Sequence, residues 1–406
     1  MSSGIFTSAG LTQDLAKKSF ASMITRLMPN GTAPLFGMTS MLPSDTAVQT
    51  EHGFFTKTML FPQLTIGASG QVLSDTTFTV VSTINILPGM IFRVDSTGEN
   101  VIINSVISGT QVSVGRALGG VAAANIAAAV NLYQVGNAFE EGSIRPQSLI
   151  INPVRITNLT QIFRNTWAIT DSVRATMMIA GETNIAESRQ DCAGFHAADI
   201  EKNLFFGQKS QGTRNGQPFR TMDGLIAIVG NLSYYPSYYA SVNVNTAGAT
   251  TNYTQLEGFV DPVFNQATDP KVANERVLFV GGLAKKVINN IGRLNGTYMM
   301  VDGATNYGLQ FSTFKTARGT FRMIEHPLFN SNTSWSKMAV GVDLSTFRIA
   351  YLGDRKTQNK EFNADKDAND NGIDAVGGTL TTELTCVIKN PPANTVVYNL
   401  TAAAAG

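Results

Sequence analysis

The residues of this chain that could do chemistry are few: His52, His196 and His326, Cys192 and Cys386, and one run of closely spaced oxygen donors, Asp367, Asn369, Asn371 and Asp374. Covalent catalysis needs a nucleophile beside a base, and acid–base catalysis needs a positioned pair. No HExxH, GxSxG or GxxxxGKS/T pattern surrounds any of these residues, and neither cysteine stands in a nucleophile signature. The histidines are therefore expected to make structural hydrogen bonds. Two cysteines without CxxC spacing give neither a metal cage nor a disulfide framework, so both are expected as free, buried thiols. The run from Asp367 to Asp374 fits the first half of a calcium loop, in which alternate residues supply oxygen and Gly372 makes the sharp turn. The bidentate glutamate such a loop needs is replaced by Gly378, and the flanks read as strands. Asp, Asn and Gly are also the turn formers, so a solvated hairpin tip is the preferred reading and no metal or cofactor is assigned. The glycines from Gly115 to Gly120 do not make the strand–GxGxxG–helix pattern of a phosphate cradle.

Composition narrows the field in the same direction. The chain has 406 residues, which implies two or three domains. Lys and Arg total 30 against 29 Asp and Glu, and a sequence-specific nucleic-acid reader would carry a basic excess. Only 15% of residues are charged, against about a quarter in ordinary domains. So little charge suits a protein that spends much of its surface against partners. The first residues, MSSGIFTSAGLTQDL, lack the basic and apolar regions of a secretory signal, and no apolar run is long enough for a bilayer span.

The elements that would position these residues follow from periodicity. Thr12 can cap a helix striped by Leu15, Phe20, Ile24 and Leu27 and ended at Pro29-Asn30-Gly31, an arm that packs either on its own domain or on a neighbouring subunit. From Pro34 to about Thr65 the chain reads as extended, a hairpin too thin to be stable alone. Between residues 70 and 138, TTFTVV, MIFRV, ENVIINSVI, TQVSVGRA and NLYQVG read as short strands of a small barrel or sandwich, with GGVAAANIAAAVN as a helical turn between two of them. Residues 183–206 predict a helix of about 36 Å, with Ile185, Cys192, Phe195, Ile200 and Leu204 on its apolar side and Glu201 among the polar remainder. LIAIV at 225–229 reads as a buried strand. Thr254 to Glu257 reads as a capping box, with Pro262 kinking or breaking the helix that follows. ERVLFV is a strand, and Leu283, Val287, Ile288, Ile291 and Leu294 stripe a further helix. The stretch from 335 to 400 reads as strands that return to the domain of the long helix.

The order of these parts, more than any one motif, is distinctive. The chain resembles the Hong Kong 97-like capsid proteins of tailed phages, and among them the podovirus-type major head proteins. The resemblance rests on LPGMIFRV, TGENVIINSV and VSVGRALGG, then FEEGSIRPQ, NLTQIF, AADIEKNLFFG and FRTMDGL, and finally MIEHPLF and TLTTELTCVIKNPPA. Where that family often has an aromatic in the extended loop, this chain has His52-Gly53-Phe54. The resemblance implies an α+β fold with an N-terminal arm (1–33), an extended loop (34–69 and 139–150), an inserted small β-barrel-like domain (70–138), a peripheral domain with a long spine helix (151–215 and 326–406) and an axial α/β domain (216–325). It implies a non-enzymatic major capsid protein that self-assembles into hexamers and pentamers of an icosahedral head around the phage genome. Glu51, Phe54, Phe55, Lys57, Glu140 and Glu141 are the implied inter-subunit contacts. Portal, scaffolding and decoration proteins, non-specific contact with packaged double-stranded DNA, no membrane, and assembly in the host cytoplasm into a virion complete the expectation. The shell of a bacterial nanocompartment and a β-rich virion tail or adhesin protein are the alternatives.

Overall fold

A computed structural model describes residues 33–57, 62–149, 153–176, 184–235, 241–266, 275–294, 301–302, 312–362 and 375–404. In chain order the elements are α1 (Pro34–Ser40), β1 (Asp45–Ala47), β2 (Glu51–Thr56), β3 (Gln63–Thr65), β4 (Thr77–Thr79), β5 (Met90–Val94), β6 (Asn100–Ser108), β7 (Gln111–Gly115), β8 (Asn131–Asn137), β9 (Val154–Leu159), β10 (Gln161–Thr170), α2 (Asp171–Ala175) and α3 (Asn184–Phe206). They continue with β11 (Ser210–Arg214), β12 (Gln217–Thr221), α4 (Leu225–Val229), β13 (Val244–Thr246), α5 (Tyr253–Val260), β14 (Glu275–Val280), α6 (Gly282–Leu294), β15 (Val301–Asp302), β16 (Ser312–Lys315) and β17 (Thr320–Glu325). The last are α7 (Thr333–Ser336), β18 (Ala339–Val342), β19 (Phe347–Leu352), β20 (Gln358–Phe362), β21 (Ala375–Ile388) and β22 (Thr395–Tyr398). Helices and strands thus mix as the α+β reading requires. The described residues form two compact units, one of those up to Phe54, in 157–235 and from 241 onward, the other of those in 55–156.

The larger unit holds two main sheets, besides the β11–β12 hairpin. In the first, the 14-residue β21 pairs antiparallel with β10 on one edge and with β19 and then β20 on the other, while β1 adds parallel to β19. The second has seven strands in the order β13-β22-β18-β14-β17-β16-β15. The C-terminal strands therefore divide between the two sheets rather than returning only to the long helix. One core serves both: Phe163, Ile349 and Leu384 of the first sheet cluster with Val277, Phe279, Val340 and Val396 of the second and with Ile200, Leu204 and Phe205 of α3. α6 buries Ala284, Val287, Ile288 and Ile291 in a neighbouring cluster, the stripe its sequence predicts.

Several local readings need correction. LIAIV is the helix α4, bounded by Gly224 and Gly230, and it buries Leu225, Ile228 and Val229 at helical spacing. An apolar run of five residues fits a buried helical turn as well as a strand. The capping box is one pair upstream of the expected one: the Asn252 side chain accepts from the Gln255 amide and the Gln255 side chain accepts from the Asn252 amide. The Ala-rich run at 119–131 is irregular, tied by the isolated bridge between Gln71 and Ile126. Residues 34–40, expected as extended, form α1.

The smaller unit contains the six-stranded sheet β3-β8-β5-β6-β7-β4, and every one of the five β-rich runs supplies a strand. The antiparallel bridge between Ile66 and Val80, with Gly67 N donating to Thr79 O and Val81 N to Thr65 O, joins the two edge strands and closes a barrel. Leu64, Phe78, Phe92, Val94, Val101, Val112 and Leu132 fill it and are fully buried. At one end Glu99 is buried and accepts from Arg116 Nε (3.0 Å), Arg116 Nη2 (2.7 Å) and the Ala117 amide (3.0 Å). Burial pushes the Glu99 pKa up, but the Arg116 hydrogen bonds and charge and the backbone amides outweigh it and hold the carboxyl below its ordinary 4.5. A carboxyl depressed in the folded state stabilises it above the unfolded value and loses that contribution as pH falls through the folded one. The barrel is therefore expected to lose stability as pH drops below 4.5, and the loss should be smaller in Glu99→Gln. Urea unfolding followed by circular dichroism at graded pH checks this, and an equal loss in both proteins would contradict it.

Candidate functional site

α1 begins with Pro34, whose missing amide hydrogen and fixed φ suit a first helical position. The next two amides have no partner within the helix. Both are satisfied by Glu201 of α3: Leu35 N donates to Oε1 at 2.8 Å and Phe36 N to Oε2 at 2.7 Å. His326 Nε2 lies 2.7 Å from the same Oε1. An oxygen already accepting from an amide needs a further donor, so Nε2 carries the ring proton. Glu201 and His326 are both wholly buried. One side chain thus ties three segments far apart in sequence: the entry helix, the long helix and the turn after β17. Aromatic rings wall this junction. His326 stacks on Phe329 at 4.4 Å, Phe205 meets Phe279 and Phe329 edge-on at 5.4 and 5.1 Å, and Phe206 stacks on Trp335 at 4.4 Å. α3 stops beside it at Gly207, where a Cβ would stand 2.6 Å from the Met222 carbonyl, so only glycine admits this approach.

A second polar chain runs along α3. Asp199 accepts from Asn165 Nδ2, which turns Asn165 Oδ1 toward His196 Nδ1 at 2.7 Å. His196 Nδ1 therefore donates, and Nε2 accepts from the Thr382 hydroxyl at 2.8 Å. Burial lowers the His196 pKa, with the Asp199 charge opposing, so the neutral ring is favoured. Glu383 of β21, with 1% of its side chain exposed, faces Arg355 at 2.9 Å, Arg220 at 3.3 Å and the Thr160 hydroxyl at 3.0 Å. Arg276 and Asp343 form a further buried pair, 3.4 Å apart. Cys192 and Cys386 are free and buried. Burial raises the Cys192 thiol, and burial and then the Asp223 charge push Cys386 up to about 12, so neither is a thiolate near neutrality. These networks fasten strands and helices together.

Most of the expected contact residues are exposed; Phe54 is half-buried. Glu51 and Phe54 stand on β2, which pairs with β9. Glu51 lies 4.0 Å from Lys209 Nζ, a surface pair worth at most about 1 kcal/mol. Phe54 packs against Ala47, Ala350 and Val387, whereas the next residue, Phe55, is 69% exposed. Lys57, Glu140 and Glu141 are exposed, the last two in a turn closed by Ser143 N to Glu140 O. Asp367, Asn369, Asn371 and Asp374 lie outside the described residues. The sequence reading missed Glu201, which it placed on the polar side of α3. A signal existed, since Ile200, Leu204 and Phe205 put this acid beside the apolar stripe.

The family model for the SU10 major capsid protein matches residues 5–401. The curated major capsid protein of Pseudomonas phage PaMx41 is 37% identical over 409 aligned residues, which cover 98% of this chain and 96% of that protein. Among solved structures, the capsid of a native GTA particle aligns at TM-score 0.45 and 10% identity, over 99% of this chain and 100% of the other. A chain from Mycobacterium phage Cain aligns at TM-score 0.44 and 9% identity, over 99% and 100%.

The neighbouring phenylalanines of β2 are expected to respond differently. Phe54→Ala should cost about 1–2 kcal/mol, because half a buried aromatic's packing is lost. Phe55→Ala should stay within about 0.5 kcal/mol, as for an exposed site. Urea unfolding of the dispersed chain measures both, and equal costs would contradict the assignment of Phe54 to the fold.

Proposed function

The chain belongs to the SU10 major capsid protein family, and from that membership we propose how it acts as a shell subunit. It is a phage major capsid protein, and such proteins form the capsid shell; the nanocompartment and tail-adhesin alternatives fall away. The observation that carries the reading is the match along the whole length of the chain, not any single motif.

Within that role, the protein works as structure rather than as a catalyst, in the Hong Kong 97 manner. Copies associate into hexamers and pentamers of an icosahedral head that encloses the genome, assembled in the host cytoplasm. The loop expected at 34–69 and 139–150 narrows to 41–57 and 139–149, since α1 is fastened to α3 and β3 belongs to the barrel; it is laid over a neighbouring copy, with Phe55, Lys57, Glu140 and Glu141 as its contacts and Glu51 and Phe54 at its base. The arm is 1–33; the inserted barrel, expected at 70–138, takes in β3 as well; the peripheral domain is 151–215 with β19–β21, and the axial domain is 216–325 with β18 and β22, which join its sheet. What supports this division of labour is the contrast between tightly fastened sheets and long, exposed, extended segments. A protruding chain that makes few contacts at home gains order from a partner. Portal, scaffolding and decoration proteins and non-specific DNA contacts belong to the same reading. Among the described residues no helix is long and apolar enough to cross a membrane.

Negative-stain electron microscopy with light scattering on the purified chain tests this reading. Closed shells or capsomer rings are expected. A monomer or small oligomer that persists when head-assembly partners are supplied would overturn it.

A further inference from the structure

Three cations of the larger unit converge on one groove. Lys286 and Arg293 lie seven residues apart on α6, two turns and about 10 Å along the same face. Lys337 follows α7, and its carbonyl accepts from Leu400 N at 2.9 Å, which lays residues 400–403 beside the helix. Between them runs a groove of about 650 Å³, lined by these cations together with Leu283, Leu294 and Leu400. No acid lines it, and among the described residues none of the three cations has an ion pair or a side-chain hydrogen bond. Lys285, the neighbour of Lys286, is by contrast engaged by Glu325 at 3.4 Å. Leu283 and Leu294 are 42% and 53% exposed, so the groove sets an apolar wall beside unopposed positive charge.

The acids that could answer that charge are few. Among the described residues only Asp95, Glu140, Glu141 and Asp354 have a carboxylate without an ion pair or hydrogen bond. Asp95 and Asp354 stand singly, whereas Glu140 and Glu141 adjoin. Their turn is built into the fold. Ala138 N donates to Gly89 O at 2.9 Å, and Ser143 N to Glu140 O at 3.1 Å. The Phe139 ring lies on Gly89, where a Cβ would stand 2.5 Å from it, and Gly142 supplies a φ of 75° in the turn. Phe139 remains 45% exposed, so the stretch offers half an aromatic face followed by two carboxylates. Arg145 is the one cation between residues 138 and 149.

The two features are complementary, with cations and exposed leucines on one side and carboxylates and an exposed aromatic on the other. A DNA duplex would bring phosphates to the cations but nothing apolar to Leu283, Leu294 and Leu400. Copies that close into a ring meet through two different surfaces of the same chain, which lets a basic surface of one copy face an acidic surface of the next. Resting on the shell reading above, we propose that the groove between α6 and residues 400–403 receives the Phe139-Glu140-Glu141 turn of a second copy. Because Gly89 already holds that turn in place, docking orders few further groups.

Charge reversal on each side tests this. Lys286→Glu with Arg293→Glu, and Glu140→Lys with Glu141→Lys, change only exposed side chains, so both full-length variants should unfold in urea like the native chain. Each alone should raise the concentration needed for assembly by about tenfold, read by light scattering. An equal mixture should assemble close to the native concentration, because each variant finds its opposite on the other. Sedimentation equilibrium below the assembly threshold should show association in the mixture and none in either variant alone. Lys286→Gln with Arg293→Gln removes the charge without adding repulsion and should raise the threshold by about threefold, which keeps the test open if a reversal misfolds. Unchanged assembly of these variants would overturn the proposal. Impairment that the mixture does not relieve would overturn it too: normal assembly of a chain carrying all four reversals would then place the contact within one copy, and loss of nuclease-protected DNA alone would assign the groove to the packaged genome. A native chain that builds no shells would contradict the shell reading instead, and association of the mixed variants in the sedimentation experiment would still decide this contact.

Discussion

A carboxyl group buried among three donors sets the geometry of the larger unit. Glu201 has no water to solvate it, and removing one partner of a buried charged network typically costs several kcal/mol. Its three partners are therefore held to α3: the two leading amides of α1, and His326 at the exit of β17. Because β17 belongs to the seven-stranded sheet while α3 is hydrogen-bonded through Asp199 and His196 to the β10–β21 sheet, this junction also fixes one sheet against the other. The aromatic rings around it add dispersion and exclude water, which strengthens every hydrogen bond inside.

The same logic separates what is rigid from what is offered to partners. Polar groups inside the protein are spent on fastening: Glu99 to Arg116, Glu383 to Arg220 and Arg355, Arg276 to Asp343. The chain as a whole carries only 15% charged residues. A shell sums many modest contacts among identical copies, and Phe55, which the fold leaves 69% exposed, is the side chain proposed above for such a contact.

Much of this was legible in the sequence because strand alternation and helix periodicity are local signals. The five β runs of the barrel, the long helix α3 and the stripe of α6 are read from spacing alone. The misreadings share one physical cause. α1 looked extended because its start depends on Glu201, 166 residues away from Leu35. LIAIV looked like a strand because five apolar residues do not distinguish a buried helical turn from a buried strand. Glu201 itself looked solvated because a glutamate's burial depends on donors that arrive from distant segments.

The dependence on Glu201 can be tested by amide hydrogen exchange in Glu201→Gln. The amide keeps the shape of the side chain but turns a donor toward one of the two α1 amides. The account predicts that Leu35 and Phe36 and the turn at His326 lose protection while the β10–β21 ladder keeps most of its own. Protection at all these positions equal to the native protein would contradict it, and would move the organising role to the aromatic cluster alone.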